Sequence, residues 1–476
     1  MKHENHDDAK LEAGRMFPLD RHSVAPRNLL ILSLIFCTAL EVRLLNWQAA
    51  RHEAVAVQSS VALNYKHLAG LIRANGLSSL YDASSSTSNP DLLGHPPGYP
   101  ILLSFIYRIA PESDTATQLF QMVLDSLSVI VIVLIAFKLF PTAVGVIAGL
   151  LAALAPQFSW NSILLLPDSL AALPILLAVL LITRTCRRTN SASDRSSIVA
   201  MLAAGALVGV SVWLRANSFL LAPFLALLFL FIGKSGARLR PALMLVCGAL
   251  LIIGPLTIRN AIVYGKFIPV SLGAGQTLIE GIADYNSDGS LGLPQTDMEL
   301  IGGEAETAHR PDYANSLFTP DGIERDRARL ARGFAVIRAH PIWFVSVMIR
   351  RAASMLRLER TPLRLASTSS GTWQPLVQWP LRAVQKIFIT AIFLPLVFIG
   401  AGILVYQRQF QSLAILLMVP CYYFCTQSAL HTEYRYVLVI DYFLFVLAAV
   451  AIYSIVGKII RSIPGTRLRS VRKADA

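Results

Sequence analysis

Apolar stretches recur along this chain at the length that crosses a hydrocarbon core of roughly 30 Å, with short polar breaks between them. They are read at about 29–46, 116–138, 140–158, 166–183, 197–214, 216–233, 241–262, 383–405, 411–430 and 435–457. About ten such spans predict an all-α polytopic membrane protein, because only helices or closed barrels satisfy the backbone in lipid. The first span follows 28 mostly polar residues and lacks a small-residue cleavage site, which predicts an uncleaved anchor. The pattern divides the chain into a tail at 1–28, a transmembrane domain at 29–458 and a basic tail at 459–476. Only two long stretches, about 47–115 and 264–382, lie outside the spans, and surface loops are where chemistry concentrates.

Within the first of these stretches, Leu63, Leu68, Leu71 and Ile72 recur at helical spacing with Lys66, His67 and Arg73 opposite. That predicts a helix lying on the membrane surface. Ser84 to Asn89 reads as a loop, and Tyr99 to Ile109 as an apolar helix entered through His95-Pro96-Pro97-Gly98-Tyr99-Pro100. Three prolines in that run hold the backbone extended before the helix. The second stretch has an acidic, loop-like middle from Asp284 to Glu306. A helix from Asp321 to His340 follows, with arginines at 325, 327, 329, 332 and 338. Such a face is expected to be solvated or to touch headgroups. Pro341 to Leu358 reads as an apolar interfacial helix carrying Arg350, Arg351 and Arg357.

Composition and charge sharpen this picture. The chain is 54% hydrophobic and only 15% charged, which excludes an ordinary soluble globular protein of 476 residues. Basic clusters precede the first span (Lys10, Arg15, Arg21, Arg27) and follow the fourth (Arg184, Arg187, Arg188, Arg195). Others follow the sixth (Lys234, Arg238, Arg240) and the last (Lys458, Arg461, Arg467, Arg469, Arg472, Lys473). With an even number of spans, all fall on one side, which predicts a plasma-membrane protein with both termini cytoplasmic. The net charge of +13 is then topological, and no nucleic-acid partner is expected. Cys37, Cys247, Cys421 and Cys425 lie in spans and Cys186 in an inner loop, so no outer disulfide is expected. No residues show metal-ligand spacing, and no essential metal is expected.

Charges at membrane depth are costly unless they are paired or line a cavity. Glu41, Arg43, Asp125, Asp168, Arg215, Arg259, His431, Glu433 and Arg435 are so placed, and all but Asp125 map near outer span ends. Their coincidence on one face predicts a shared polar cavity that opens outward.

The His95–Pro100 run, Leu214-Arg215-Ala216-Asn217, Ile258-Arg259-Asn260 with Gly265-Lys266-Phe267-Ile268-Pro269, and His431-Thr432-Glu433-Tyr434-Arg435-Tyr436 together carry a resemblance. In order and spacing they resemble the bacterial branch of the protein O-mannosyltransferase-like glycosyltransferases, family 39 and relatives, of GT-C fold. That branch includes the aminoarabinose transferases and the galacturonosyltransferases of lipid A core. The resemblance spans roughly residues 28–458. It implies transfer of a sugar from a polyprenyl-phosphate donor to an acceptor hydroxyl at the extracytoplasmic face, with inversion. The acceptor class is left open among lipid, glycan and protein. Cations must then hold the leaving phosphate, a task for which the arginine fork is suited, and a carboxylate must take the acceptor's proton. Arg259 and Arg435 are the leading phosphate ligands, with Lys66, His95 and Tyr99 as further candidates. Glu433, His431 and Asn260 are expected to support them.

One departure stands out. Relatives carry an acid about four residues before the tyrosine that Tyr65 resembles, yet Ser59, Ser60 and Val61 occupy that position here. Glu53 upstream and Asp168 at the outer start of a span are the candidate catalytic acids; Asp82 and Asp91 lie downstream. Asp441 in the last span has no assigned role. Two other readings stay open: a transporter or flippase of lipid-linked sugars, and a relative that binds glycolipid without catalysis. No internal repeat supports the transporter, and the missing first-loop acid is the best support for the silent relative. The sugar itself has no portable code in the sequence.

Overall fold

The computed structural model describes residues 26–57, 59–81, 94–187, 195–232, 239–359 and 374–462. Most of both expected tails, most of the basic clusters, the Ser84–Asn89 loop, Asp82 and Asp91 lie outside the described residues. No β-strand occurs among the described residues. The helices are α1 (Pro26–Ala56), α2 (Ser59–Asn75), α3 (Gly98–Ile109), α4 (Asp114–Leu139), α5 (Thr142–Leu154) and α6 (Pro156–Asn161). Next come α7 (Asp168–Arg187), α8 (Arg195–Leu214), α9 (Leu221–Ile232) and α10 (Leu239–Tyr264). An outer unit holds α11 (Ala274–Ala283), α12 (Asp297–Ala308), α13 (Gly322–Ala339) and α14 (Pro341–Met355). The chain ends with α15 (Gln374–Gln385), α16 (Thr390–Tyr406), α17 (Phe410–Thr426) and α18 (Val439–Ser462).

A helix stands at each of the ten expected spans, and the protein is a multi-pass membrane protein. Seven helices are long and apolar enough to cross a bilayer unaided, and α16 forms an eighth span with the end of α15, bent by 57°. The remaining two, α5 and α9, are short. Their 13 and 12 residues rise only about 20 and 18 Å. Broken backbone continues both, α6 plus Ser162–Pro167 after α5 and the turn Ala216–Ser218 before α9. Every residue from Ala155 to Ala172 is buried, the condition under which irregular backbone is tolerated at membrane depth.

Close helix approach holds the bundle together. On α8, Gly205 and Gly209 stand one turn apart against Leu245, Ala249 and Ile252 of α10, and Gly248 of α10 stands against Leu202 and Ala206 of α8. A Cβ on Gly205 would lie 1.8 Å from the Leu245 carbonyl, and one on Gly248 2.0 Å from that of Leu202. Such contact is how helices associate when water supplies no driving force between them. A fully buried ion pair, Arg43 Nη2 to Asp125 Oδ2 at 2.6 Å, ties α1 to α4, and Tyr442 of α18 donates to Asp125 at 3.2 Å. These two charges therefore brace the bundle and do not join an outer cavity, and Glu41 is exposed.

The outer elements differ from expectation in four respects. Helix α1 runs on to Ala56, so Glu53 stands on a helix and not in a loop. Helix α2 forms, but its buried face is Ala62, Tyr65, Leu68, Ala69 and Ile72, with Leu63 61% exposed, because it packs on α3. The acidic middle contains a helix, α12, whose Thr296 N-cap accepts from the Glu299 amide and whose first turn carries Asp297 and Glu299. On α13, Arg325 and Arg329 are buried against Glu304 and do not face solvent.

Candidate active site

Three of the four sequence motifs converge on one polar cluster. Asp168 opens α7 and Arg215 follows the end of α8. These consecutive antiparallel helices bring Arg215 Nη1 to 2.8 Å from Asp168 Oδ1. The approach is an ion pair without hydrogen-bond alignment, and both Asp168 oxygens lack a hydrogen-bond partner although the residue is buried. An unsatisfied buried carboxylate is costly and marks a place where a ligand group would be bound. Arg435 contributes a second guanidinium: its charge acts on Asp168 alongside that of Arg215, and so does the charge of Glu433.

Arg435 stands in the turn Tyr434–Val437 between α17 and α18. Its Nη2 donates to Glu433 Oε1 at 2.7 Å, while its Nε, also buried, has no partner. The Tyr436 ring joins the two cations, with the Arg215 guanidinium 4.0 Å and that of Arg435 5.3 Å from its centroid. Outside contacts hold the turn in place. Trp160 Nε1 donates to Tyr434 Oη at 3.1 Å, and Asn217 Nδ2 to the Tyr436 carbonyl at 2.9 Å.

The His95 run closes a further side. A Cβ on Gly98 would lie 2.4 Å from the Trp213 carbonyl, so only glycine lets this run reach the end of α8. His95 lies 5.2 Å from the Tyr65 ring, which packs edge-on to Tyr99 at 5.1 Å. Burial, then the charges of Arg215 and Arg435, push the His95 imidazole down to about 4, so it is neutral at ordinary pH. Burial likewise raises the Tyr65 hydroxyl, which also feels Arg215, Asp168, Tyr436 and Arg435.

The other candidates have different surroundings. Tyr99 is fully buried and donates to Gln121 Oε1 at 2.6 Å. Lys66 pairs with Asp114 at 2.7 Å, joining α2 to the start of α4. Arg259 donates Nε to the Leu80 carbonyl and Nη1 to Asn260 Oδ1, both at 2.6 Å, and lies 5.3 Å from the Tyr264 ring. Asn260 Nδ2 donates to the Ile268 and Val270 carbonyls, each at 2.9 Å. The fourth motif thus pins the chain after α10 to the turn Leu77–Tyr81. His431 pairs with Asp284 of the outer unit at 2.9 Å, which raises its imidazole. Glu53 stands partly buried near the end of α1.

Arg215, Tyr65 and Tyr436 are the site members to which sequence reasoning gave no role. The signal for Arg215 was present: consecutive spans with a short inner connection must be antiparallel neighbours, which puts an acid starting one beside a base ending the next. Asp441, whose Oδ2 accepts from Gln157 Nε2 at 3.3 Å, lies in a small pocket with Arg357 and Tyr434. Among the described residues no cluster of three or more His, Cys, Asp or Glu could hold a metal ion.

A bundle of this topology, with a polar cluster at the broken outer ends of its helices and a helical outer unit, defines a protein of GT-C fold. Residues 94–258 match the family described as Dolichyl-phosphate-mannose-protein mannosyltransferase, a stretch that includes His95, Asp168 and Arg215. The fold is similar to that of an oligosaccharyltransferase from Archaeoglobus fulgidus, solved with an inhibitory peptide and a dolichol-phosphate. The TM-score is 0.50 at 16% identity, over 94% of this chain and 51% of that one. The chain thus spans about half the length of that enzyme. ArnT from Cupriavidus metallidurans, solved bound to undecaprenyl phosphate, matches at a TM-score of 0.35 and 15% identity, over 84% of this chain and 77% of that one. No curated protein matches the chain in sequence.

Proposed function

We propose that this protein is a membrane glycosyltransferase that moves a sugar from a polyprenyl-phosphate donor to an acceptor hydroxyl at the extracytoplasmic face, with inversion. The observation that carries the proposal is the buried Asp168 carboxylate between Arg215 and Arg435, with hydrogen-bonding capacity left on Asp168 and on Arg435 Nε. The match of residues 94–258 to a family described by a dolichyl-phosphate donor supports the donor class.

Arg435 and Arg215 bind the donor phosphate, because their permanent charge and planar donors suit the dianion that forms as the glycosidic bond breaks. Asp168, ion-paired with Arg215, accepts the acceptor's hydroxyl proton. The acceptor oxygen forms its bond to the anomeric carbon as the bond from that carbon to the phosphate oxygen breaks. The polyprenyl phosphate leaves with the electron pair. Neutral His95 and Tyr65 line the same space and offer hydrogen bonds without adding charge. Glu433 orients Arg435, and Glu53 has no part in the proton transfer.

The test is transfer from a radiolabelled polyprenyl-phosphate sugar in proteoliposomes, with envelope glycans and glycolipids as acceptors. Asp168→Asn is expected to lower transfer at least 100-fold while retaining binding of polyprenyl phosphate. Arg435→Ala is expected to lose both. Full transfer by Asp168→Asn, with a loss in Glu53→Gln instead, would reassign the base.

A further inference from the structure

A cavity of about 590 Å³ lies in the outer unit between α12 and α13, within the size range of small-molecule sites. Its polar wall is made by Glu304, Arg325, Arg329 and Arg332, with Tyr313 beside them, and its apolar wall by Ile279, Leu293 and Leu300. Arg325 and Arg329, 5% and 2% exposed, both pair with the one Glu304 carboxylate, at 2.8 and 2.7 Å. Burial pushes Glu304 up, but hydrogen bonds and charge from Arg329 and Arg325 more than offset this and hold it below the usual carboxylate range. Further donors of Arg325 reach the Thr319 and Tyr313 carbonyls and Arg329 Nη1 the Leu317 carbonyl, so this pair builds the wall and carries more charge than Glu304 alone cancels. Arg332 adds a further cation: its Nη2 donates to the Gly292 carbonyl at 2.5 Å, and it has no carboxylate partner among the described residues. Glu299 also lines the cavity, its Oε2 accepting from the Gln295 amide at 2.8 Å, so three arginines face two carboxylates and one positive charge is in excess.

A second, independent feature points to an occupant. Gly302 and Gly303 stand together inside α12, where glycine weakens a helix. Neither has a positive φ, and a Cβ on either would meet nothing within 4 Å. Backbone geometry and packing therefore do not require them. Gly303 lines the cavity, and its missing side chain keeps that wall open.

We propose that this cavity binds an anionic saccharide, a sugar bearing a carboxylate or phosphate, with the anion on the arginine wall and the ring against the apolar one. Helix α11 separates the cavity from the active-site loop. Ile279 faces the cavity, while the Thr277 carbonyl accepts from the His431 amide at 2.7 Å. One helix diameter, about 10 Å, is the scale of that separation. Resting on the transferase reading, the bound saccharide is the acceptor, anchored beside the residue that is glycosylated.

Binding is measured by calorimetry on the detergent-purified full chain with glucuronate, glucose 1-phosphate, glucose and inorganic phosphate, and polyprenyl phosphate is titrated separately. Either anionic sugar, or both, is expected to bind at least tenfold tighter than glucose, and the tighter one names the anion. Gly303→Leu, which fills open space, and Arg332→Gln are each expected to weaken that binding at least tenfold and to leave polyprenyl phosphate binding unchanged. Three outcomes would overturn the proposal: undiminished binding by Gly303→Leu, equal binding of glucose, or inorganic phosphate binding as tightly as glucose 1-phosphate. A chain that binds the anionic sugar in this way yet transfers nothing refutes the acceptor role and the transferase reading, and leaves the saccharide site standing.

Discussion

At the level of single residues, the candidate active site is marked by what its charged groups lack. Asp168 has an ion pair but no aligned hydrogen bond, and Arg435 Nε is buried without a partner. By contrast, Arg259 donates to a main-chain carbonyl and to its neighbour's amide oxygen, which identifies a brace. Arg435→Lys should therefore lower donor affinity at least tenfold although charge is kept, because ammonium cannot reproduce a planar fork; titration of polyprenyl phosphate checks this. His95 gives a pH signature. Its imidazole sits at about 4 in the fold against 6.5 in the unfolded chain, so between those values the unfolded state binds more protons. This residue's stability contribution is complete above pH 6.5 and is lost as pH falls towards 4. Thermal unfolding between pH 4 and 7 should show a decline on acidification that His95→Gln reduces. Residue types and depths were legible in the sequence, and so were the Asp168, Arg215 and Arg435 positions. The approach of Arg435 to the Asp168 and Arg215 pair was not, because it depends on packing between α7 and the turn before α18, which are far apart in the chain. The absent first-loop acid has a structural counterpart. Val61, one turn before Tyr65, packs in an apolar cluster with Ala50, Ala54 and Tyr65.

At the level of elements, periodicity located the helices well and their buried faces poorly. Helix α13 reads as a solvated arginine face, but Glu304 from α12 turns two of its arginines inward. A charge pattern on one helix cannot show the carboxylate that another helix supplies. The same holds for Glu280 on α11. Burial, then the hydrogen-bonded Asp297 carboxyl, raises it to about 8, with Gln276 Nε2 donating to both at 2.8 and 2.9 Å. Here the folded state binds the extra proton between 4.5 and 8, so stability is complete below 4.5 and falls as pH rises through 8. Glu280→Gln should abolish that alkaline decline in pH-resolved unfolding of the full chain. Gly302→Ala lies on the same α12 but outside the cavity lining, and it should raise stability by about 1 kcal/mol from helix propensity alone. Within the bundle the sign reverses: Asp125→Ala leaves Arg43 buried and uncompensated, at a cost of about 3–5 kcal/mol. Melting temperatures of the two variants in one detergent separate a surface helix from a buried brace.

On the scale of the whole molecule, the short helices explain why the cluster forms where it does. Helices α5 and α9 end before a full crossing, and the broken backbone that continues their path lies next to Asp168 and Arg215. Ten crossings, taken in alternation, would put every site segment, the residues around 95, 168, 215 and 435, on the same side as the outer unit. The connections near 140, 190, 235 and 408 would then fall on the opposite side. Basic residues at Arg184, Arg187 and Arg240 flank those connections, consistent with a cytoplasmic face. This topology makes a prediction that no single element makes. In a cysteine-free background, Met298→Cys, 70% exposed on α12, should react with a membrane-impermeant maleimide in intact cells. Gln407→Cys, in the connection after α16, should react only once the inner membrane is opened. The reverse pattern would place the Asp168 cluster on the cytoplasmic face. An odd number of crossings between residues 298 and 407 is what this labelling detects, and the bent α15–α16 span is the element that must supply it.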